Sequence, residues 1–248
     1  MSAADPFAHH PELRDKIKDP ETSFFRDLSV ERYLEAHPEL EWIRPYLNSD
    51  ETREQNRQAT LKDRADGDVW VFAYGSLMWD PAFRFSEVRR ARAPDHERRF
   101  ILKDILGARG NPDAPGLMAA LDHGEGCDGL LFRIPDAIVN VETEILWRRE
   151  YIAPGYIPSF ITASTDDTNL SALAFVADHD AEHICGDISR DEQIACLANG
   201  TGILGTSVEY LENICSYFAI LGIDDEECAS LLAETKAFMR DNANAAGR

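Results

Sequence analysis

The spacing of apolar residues changes character twice along the chain. Up to about residue 67 apolar positions are sparse. The clearest element there is Ser29-Val-Glu-Arg-Tyr-Leu-Glu-Ala36, where a serine suited to cap free amides precedes good helix formers; this predicts a helix over 30–36. Residues 51–63 are charged and helix-permissive with little apolar stripe. Residues 1–67 are therefore expected to form a helical N-terminal extension that packs on, or leads into, the main domain.

From residue 68 the pattern becomes that of strands. Val69-Trp-Val-Phe-Ala-Tyr74 is a short continuous run of β-branched and aromatic residues, as in a strand covered on both faces, and Gly75-Ser76 ends it. Further strands are predicted over 87–92, 98–103, 116–121, 129–134, 157–163 and 172–177. Turn chemistry separates several of them, notably at 107–116 and 122–126. A helix is predicted over 137–150, with Ile138, Val141, Ile145 and Leu146 at helical spacing.

Beyond about residue 185 the pattern is helical throughout. Ser189-Arg-Asp-Glu192 spells a capping box, and Asn199-Gly200 marks the end of that helix. Two more helices follow, over 206–221 (stopped by Gly222) and 225–240. The organisation expected is an extension over 1–67, a main α+β domain over 68–240, and a frayed tail over 241–248.

Composition narrows the functions available. The chain has 248 residues, 44% of them hydrophobic, enough to bury a sizeable core, and a formal net charge of −20. Nucleic-acid binding rests on Lys and Arg displacing counterions, so a broadly basic binding face is excluded; adhesion to anionic lipid is disfavoured for the same reason. No apolar run approaches the length needed to cross a bilayer, and the first residues have neither a basic nor an apolar segment of the secretory kind. Five scattered cysteines without a CxxC pair read as buried, reduced thiols, and the protein is expected to be cytoplasmic.

Several motifs for chemistry fail in context. Gly200-Thr-Gly-Ile-Leu-Gly205 spells GxGxxG, yet it falls between two predicted helices with no strand feeding it; a loop tolerant of positive φ is the better reading. His179, His183 and Cys185 are metal-ligand types but lack a fuller ligand set. Neither a Walker sequence nor GxSxG is present. Two segments remain. Tyr74-Gly75-Ser76-Leu77-Met78 follows a buried strand directly, where successive backbone N–H groups can converge on a carboxylate or a developing oxyanion, although an ordinary strand-to-loop turn fits the pattern too. Glu150 closes the predicted helix at the end that disfavours negative charge, which points to a placement for chemistry, or to pairing with Arg148 or Arg149.

Taken together, Val71-Phe-Ala-Tyr-Gly-Ser-Leu-Met-Trp79, Arg109-Gly-Asn-Pro-Asp-Ala-Pro-Gly116, Trp147-Arg-Arg-Glu150, Leu204-Gly-Thr-Ser-Val-Glu-Tyr-Leu211 and Leu221-Gly-Ile-Asp224 resemble the ChaC-type γ-glutamylcyclotransferases. Residues 5–14, Asp-Pro-Phe-Ala-His-His-Pro-Glu-Leu-Arg, resemble the start of the bacterial long form. The resemblance implies a γ-glutamylcyclotransferase-like mixed β-barrel with flanking helices and a lyase needing no cofactor and no metal. Its substrate would be glutathione, cleaved to 5-oxoproline and cysteinylglycine. Carried onto this chain, the acid/base falls on Glu150 and the γ-glutamyl-binding loop on Tyr74, Gly75, Ser76 and Leu77, with Tyr210 as a substrate-facing hydroxyl. Another γ-glutamyl amine or peptide as substrate, and a non-catalytic regulator linked to cation transport, are the alternatives. Oligomeric state is not legible.

Overall fold

The computed structural model describes residues 5–62, 64 and 66–246, the side chain of 246 excepted. Nine strands and six α-helices occur among them. The strands are β1 (Val69–Ala73), β2 (Glu87–Ala93), β3 (His96–Asp104), β4 (Gly116–His123), β5 (Cys127–Ile134), β6 (Tyr156–Ser164), β7 (Asn169–Ala177), β8 (Thr201–Gly202) and β9 (Gly205–Thr206). The helices are α1 (Val30–Ala36), α2 (Asp50–Leu61), α3 (Val139–Glu150), α4 (Arg190–Asn199), α5 (Ser207–Leu221) and α6 (Glu226–Ala246). They fall into two compact units: residues up to 97 together with 121–178, and residues 98–120 together with 179 onward. The N-terminal extension and most of the strands that follow it fall in the first unit.

The first unit is built on a closed barrel. β5 pairs antiparallel with β1 and β2, β6 with β2 and β7, and a parallel pairing of β1 with β7 shuts the ring. One buried cluster joins Phe72 and Tyr74 with Ala91, Ala93, Ala163, Ala172 and Ala174 and with the larger Leu131, Ile161 and Val176. Alternate residues face outward and are also covered. Trp147 of α3 lies edge-on to Phe175 of β7, with centroids 5.2 Å apart, and Phe83 and Phe85 pack on Phe132 of β5. Covering both faces explains why these strands read as continuous apolar runs rather than alternating ones.

The extension is tied to the barrel at several points. The Val88 amide donates to the Pro6 carbonyl (3.0 Å) and the Arg90 amide to His10 Nε2 (2.9 Å), which satisfies an edge of β2 that no strand covers there. Val141 corrects the predicted stripe of α3, because it is 55% exposed. The buried face instead carries Glu142, Thr143 and Arg149 among its apolar residues. The extension supplies their partners: Arg26 to Glu142, and Arg57 Nη1 to Thr143 Oγ1 at 3.0 Å.

In the second unit, α4 has the predicted capping box at Ser189, and α5 has another at Thr206. The GxGxxG spelling is a small β8–β9 hairpin between these helices, with Gly205 at φ +100° as its turn requires. Gly200 is needed for closeness rather than for a left-handed cap. Its φ is −63°, and a Cβ there would lie 2.4 Å from Gly116 Cα. The tail expected to fray from 241 is helical to Ala246, since residues 241–246 include three alanines and no glycine or proline to stop the helix; 247–248 lie outside the described residues.

Candidate active site

β1 ends at Ala73, and the chain turns through Tyr74 and Gly75 into a single 3₁₀ turn, Ser76–Met78. The Met78 amide closes that turn on the Gly75 carbonyl (2.9 Å). A helical turn leaves its first amides without internal partners. Among the described residues no protein group accepts from the Ser76 or Leu77 amide. The side chains around these amides point to other tasks. The Tyr74 hydroxyl donates to the Phe175 carbonyl (2.9 Å) and its ring lies in the barrel interior, while Leu77 and Met78 are buried. The loop therefore offers backbone donors and one hydroxyl, that of Ser76.

The same hydroxyl accepts from Arg149 Nη2 at 2.8 Å. Arg149 Nε lies 2.9 Å from Glu150 Oε1, and Nη1 donates to the Asp80 carbonyl. One guanidinium thus holds the Gly75–Leu77 loop and the Glu150 carboxylate together. Glu150 is the last residue of α3, as predicted, and its side chain is 14% exposed. Burial pushes its carboxyl above the ordinary glutamate value, and the charge and hydrogen bond of Arg149 oppose that rise without cancelling it. Of the two explanations offered by the sequence, the structure shows the pairing with a neighbour: Arg149 is the partner, and it is also the link to the loop. Arg148 has separate duties, with its Nη2 on the Arg26 carbonyl at 2.9 Å.

Tyr74, Gly75, Ser76, Leu77 and Glu150 belong to the first unit and are brought together in this way. Tyr210 belongs to the second, in the first turn of α5, where its ring is buried against Phe100 and Arg109. Sequence reasoning missed Asp80. The doublet Arg148-Arg149 before Glu150 carried a signal, but nothing distinguished the buried arginine from the one that serves the extension. His179, His183 and Cys185 form no metal-binding group; none of three or more ligand side chains occurs among the described residues.

Residues 69–238 match the family model described as ChaC-like protein. The chain is 33% identical over 198 residues to the glutathione-specific γ-glutamylcyclotransferase of Escherichia coli (strain K12), an alignment covering 79% of this chain and 85% of that protein. It is 30% identical to glutathione-specific γ-glutamylcyclotransferase 1 of Homo sapiens, over 68% of this chain and 80% of that one. The fold is also that of the γ-glutamyl cyclotransferase specific to glutathione from yeast, whose crystal structure superposes with a TM-score of 0.62 at 20% identity, over 70% of this chain and 97% of the yeast one. With its barrel, its loop after β1 and its sequence aligned over most of its length, the chain belongs to the ChaC-like family.

Proposed function

We propose that the protein is a γ-glutamylcyclotransferase acting on glutathione, with Glu150 as its general acid and base. The activity is supported by the aligned relatives, which are named for it. The role of Glu150 is supported by one observation above all: a largely buried carboxylate, raised in pKa, shares a guanidinium with the hydroxyl of the Gly75–Leu77 loop.

In the reaction the α-nitrogen of the glutamyl group attacks its own γ-carbonyl carbon. The new C–N bond closes a five-membered lactam, and the old amide C–N bond breaks to release cysteinylglycine. The balance of protons is closed: the α-ammonium loses two, and the leaving nitrogen ends with two more than it had in the amide. A carboxylate able to take a proton from one nitrogen and give it to the other serves both halves, and a raised pKa brings it nearer the operating pH. No redox step, phosphoryl group or covalent enzyme intermediate enters the balance.

Holding the glutamyl chain curled supplies much of the advantage, since well-oriented intramolecular attack lowers barriers by about 7–11 kcal/mol. We assign this task to the Ser76 and Leu77 amides, as donors to the substrate carboxylate or to the carbonyl oxygen as it gains charge. Tyr210 is carried as a substrate-facing hydroxyl, supported by the resemblance of its segment alone.

Incubation with glutathione followed by mass spectrometry for 5-oxoproline tests the activity. Glu150→Gln is expected to keep the fold by circular dichroism and to lose about 10²–10⁴-fold in kcat. Full activity in that variant would remove Glu150 from the chemistry.

A further inference from the structure

Four charged side chains of the first unit alternate in sign on the way to the loop. Lys18 Nζ lies 3.5 Å from Asp80 Oδ2, Asp80 Oδ1 lies 3.7 Å from Arg149 Nη1, and Arg149 Nε lies 2.9 Å from Glu150 Oε1. Arg149 is the most enclosed of them, with its side chain 4% exposed. Its three nitrogens each have a partner: the Asp80 carbonyl, the Ser76 hydroxyl and the Glu150 carboxylate. The flat face of the guanidinium is covered as well, by the Phe25 ring with its centroid 4.1 Å from Cζ. A planar fork bonded along its edge and stacked on its face has little freedom to turn, and whatever it holds is held in a fixed orientation.

The residues that immobilise Arg149 come partly from the extension. Lys18 also donates its amide to the Trp79 carbonyl (2.8 Å), so this part of the extension runs alongside the loop. Lys18 and Phe25 both lie outside residues 69–238, the stretch that matches the family model.

We propose that Arg149 is a positioning residue of the cyclotransfer site, fixing the Glu150 carboxylate and the Ser76 hydroxyl in one frame, and that Phe25 of the N-terminal extension holds Arg149 in place. The inference rests on Glu150 being the acid/base. It gives the extension a part in turnover that packing alone would not require. A lysine at 149 would keep the charge, but a compact ammonium cannot span three acceptors in one plane. A leucine at 25 would keep most of the apolar contact while losing the negative ring face that attracts the cation, and a tyrosine would keep both.

The test is steady-state turnover of glutathione by the full chain, read as 5-oxoproline, with circular dichroism to establish folding. Arg149→Lys is expected to lower kcat by about 10²-fold, the loss typical of a catalytic group displaced by about 1 Å, with KM nearly unchanged. Phe25→Leu should lower kcat by about fivefold, and Phe25→Tyr should return it to within about twofold of the wild type. A folded Arg149→Lys with wild-type kcat, a loss confined to KM, or equal kcat values for Phe25→Leu and Phe25→Tyr would each overturn the inference. Should Arg149→Lys fail to fold, the Phe25 pair decides. Glu150→Gln measured in parallel separates the two levels of argument. Full activity there overturns the acid/base reading and the inference with it. An inactive Glu150→Gln beside a fully active Arg149→Lys overturns the inference alone.

Discussion

Two influences act on the Glu150 carboxyl, and their order of size sets its behaviour. Loss of water raises its pKa, and Arg149 lowers it by a smaller amount, so the group ionises above the ordinary glutamate value of about 4.3. In the role proposed for it, as the base in the first proton transfer, it must be ionised in the free enzyme. The rate constant kcat/KM should therefore climb with pH as Glu150 loses its proton, and the midpoint of that acid limb should lie above the usual carboxylate range. A pH profile of kcat/KM on glutathione reads the midpoint directly, and a limb at or below about 4.3 would point to a different, well-solvated carboxylate. The cysteines tell a plainer story. All five are free thiols, and burial pushes those of Cys196, Cys215 and Cys228 up, keeping them protonated and unreactive near neutral pH.

At the scale of elements, α3 is the part that carries Glu150 to the loop, and its position depends on polar contacts as much as on apolar ones. Glu142, fully buried in its middle, accepts from Arg26 Nη1 at 2.9 Å, from Arg26 Nη2 at 3.1 Å and from the Arg84 amide at 2.8 Å. Trp147 Nε1 donates to Asn56 Oδ1 of α2 at 2.8 Å, and the Asn48 amide to the Ile152 carbonyl just past the helix at 2.8 Å. Removing one partner from a buried ion pair leaves an uncompensated charge, a loss of about 3–5 kcal/mol. Arg26→Met should therefore lower the urea midpoint markedly, and Arg26→Met combined with Glu142→Leu should recover much of the difference. If the single variant unfolds at the wild-type midpoint, the pair contributes little and α3 is held by its apolar contacts.

For the whole molecule the dominant fact is charge. The protein carries −20 formally, and glutathione is itself anionic near neutral pH, so the long-range field opposes encounter. Salt screens such a field, with a Debye length of about 8 Å at physiological ionic strength. Raising NaCl from a few millimolar to about 0.15 M should therefore increase kcat/KM while leaving kcat nearly constant. A fall in kcat/KM over that range would show that cations near the site outweigh the acidic surface.

What the sequence determined by itself is whatever depends on neighbours along the chain. The seven longer strands, the cap of α1 at Ser29, the capping box at Ser189 and the placement of Glu150 at a helix end all follow from local spacing, propensity and hydrogen-bonding groups within a few residues. The loop after β1 was legible for a similar reason, because a strand that stops at Gly75-Ser76 must leave its next amides to be satisfied elsewhere. Tertiary structure decided what depends on partners far away in sequence. Val141 looked like core and is exposed, whereas the neighbouring Glu142 is buried against Arg26, which lies 116 positions earlier and which no local pattern announces. The closure of the barrel by β1 against β7, and the stacking of Phe25 on Arg149, are likewise products of folding. An ion pair or a covered edge exists only once the chain has brought its two halves together, so its energy is written into the fold and not into any window of residues.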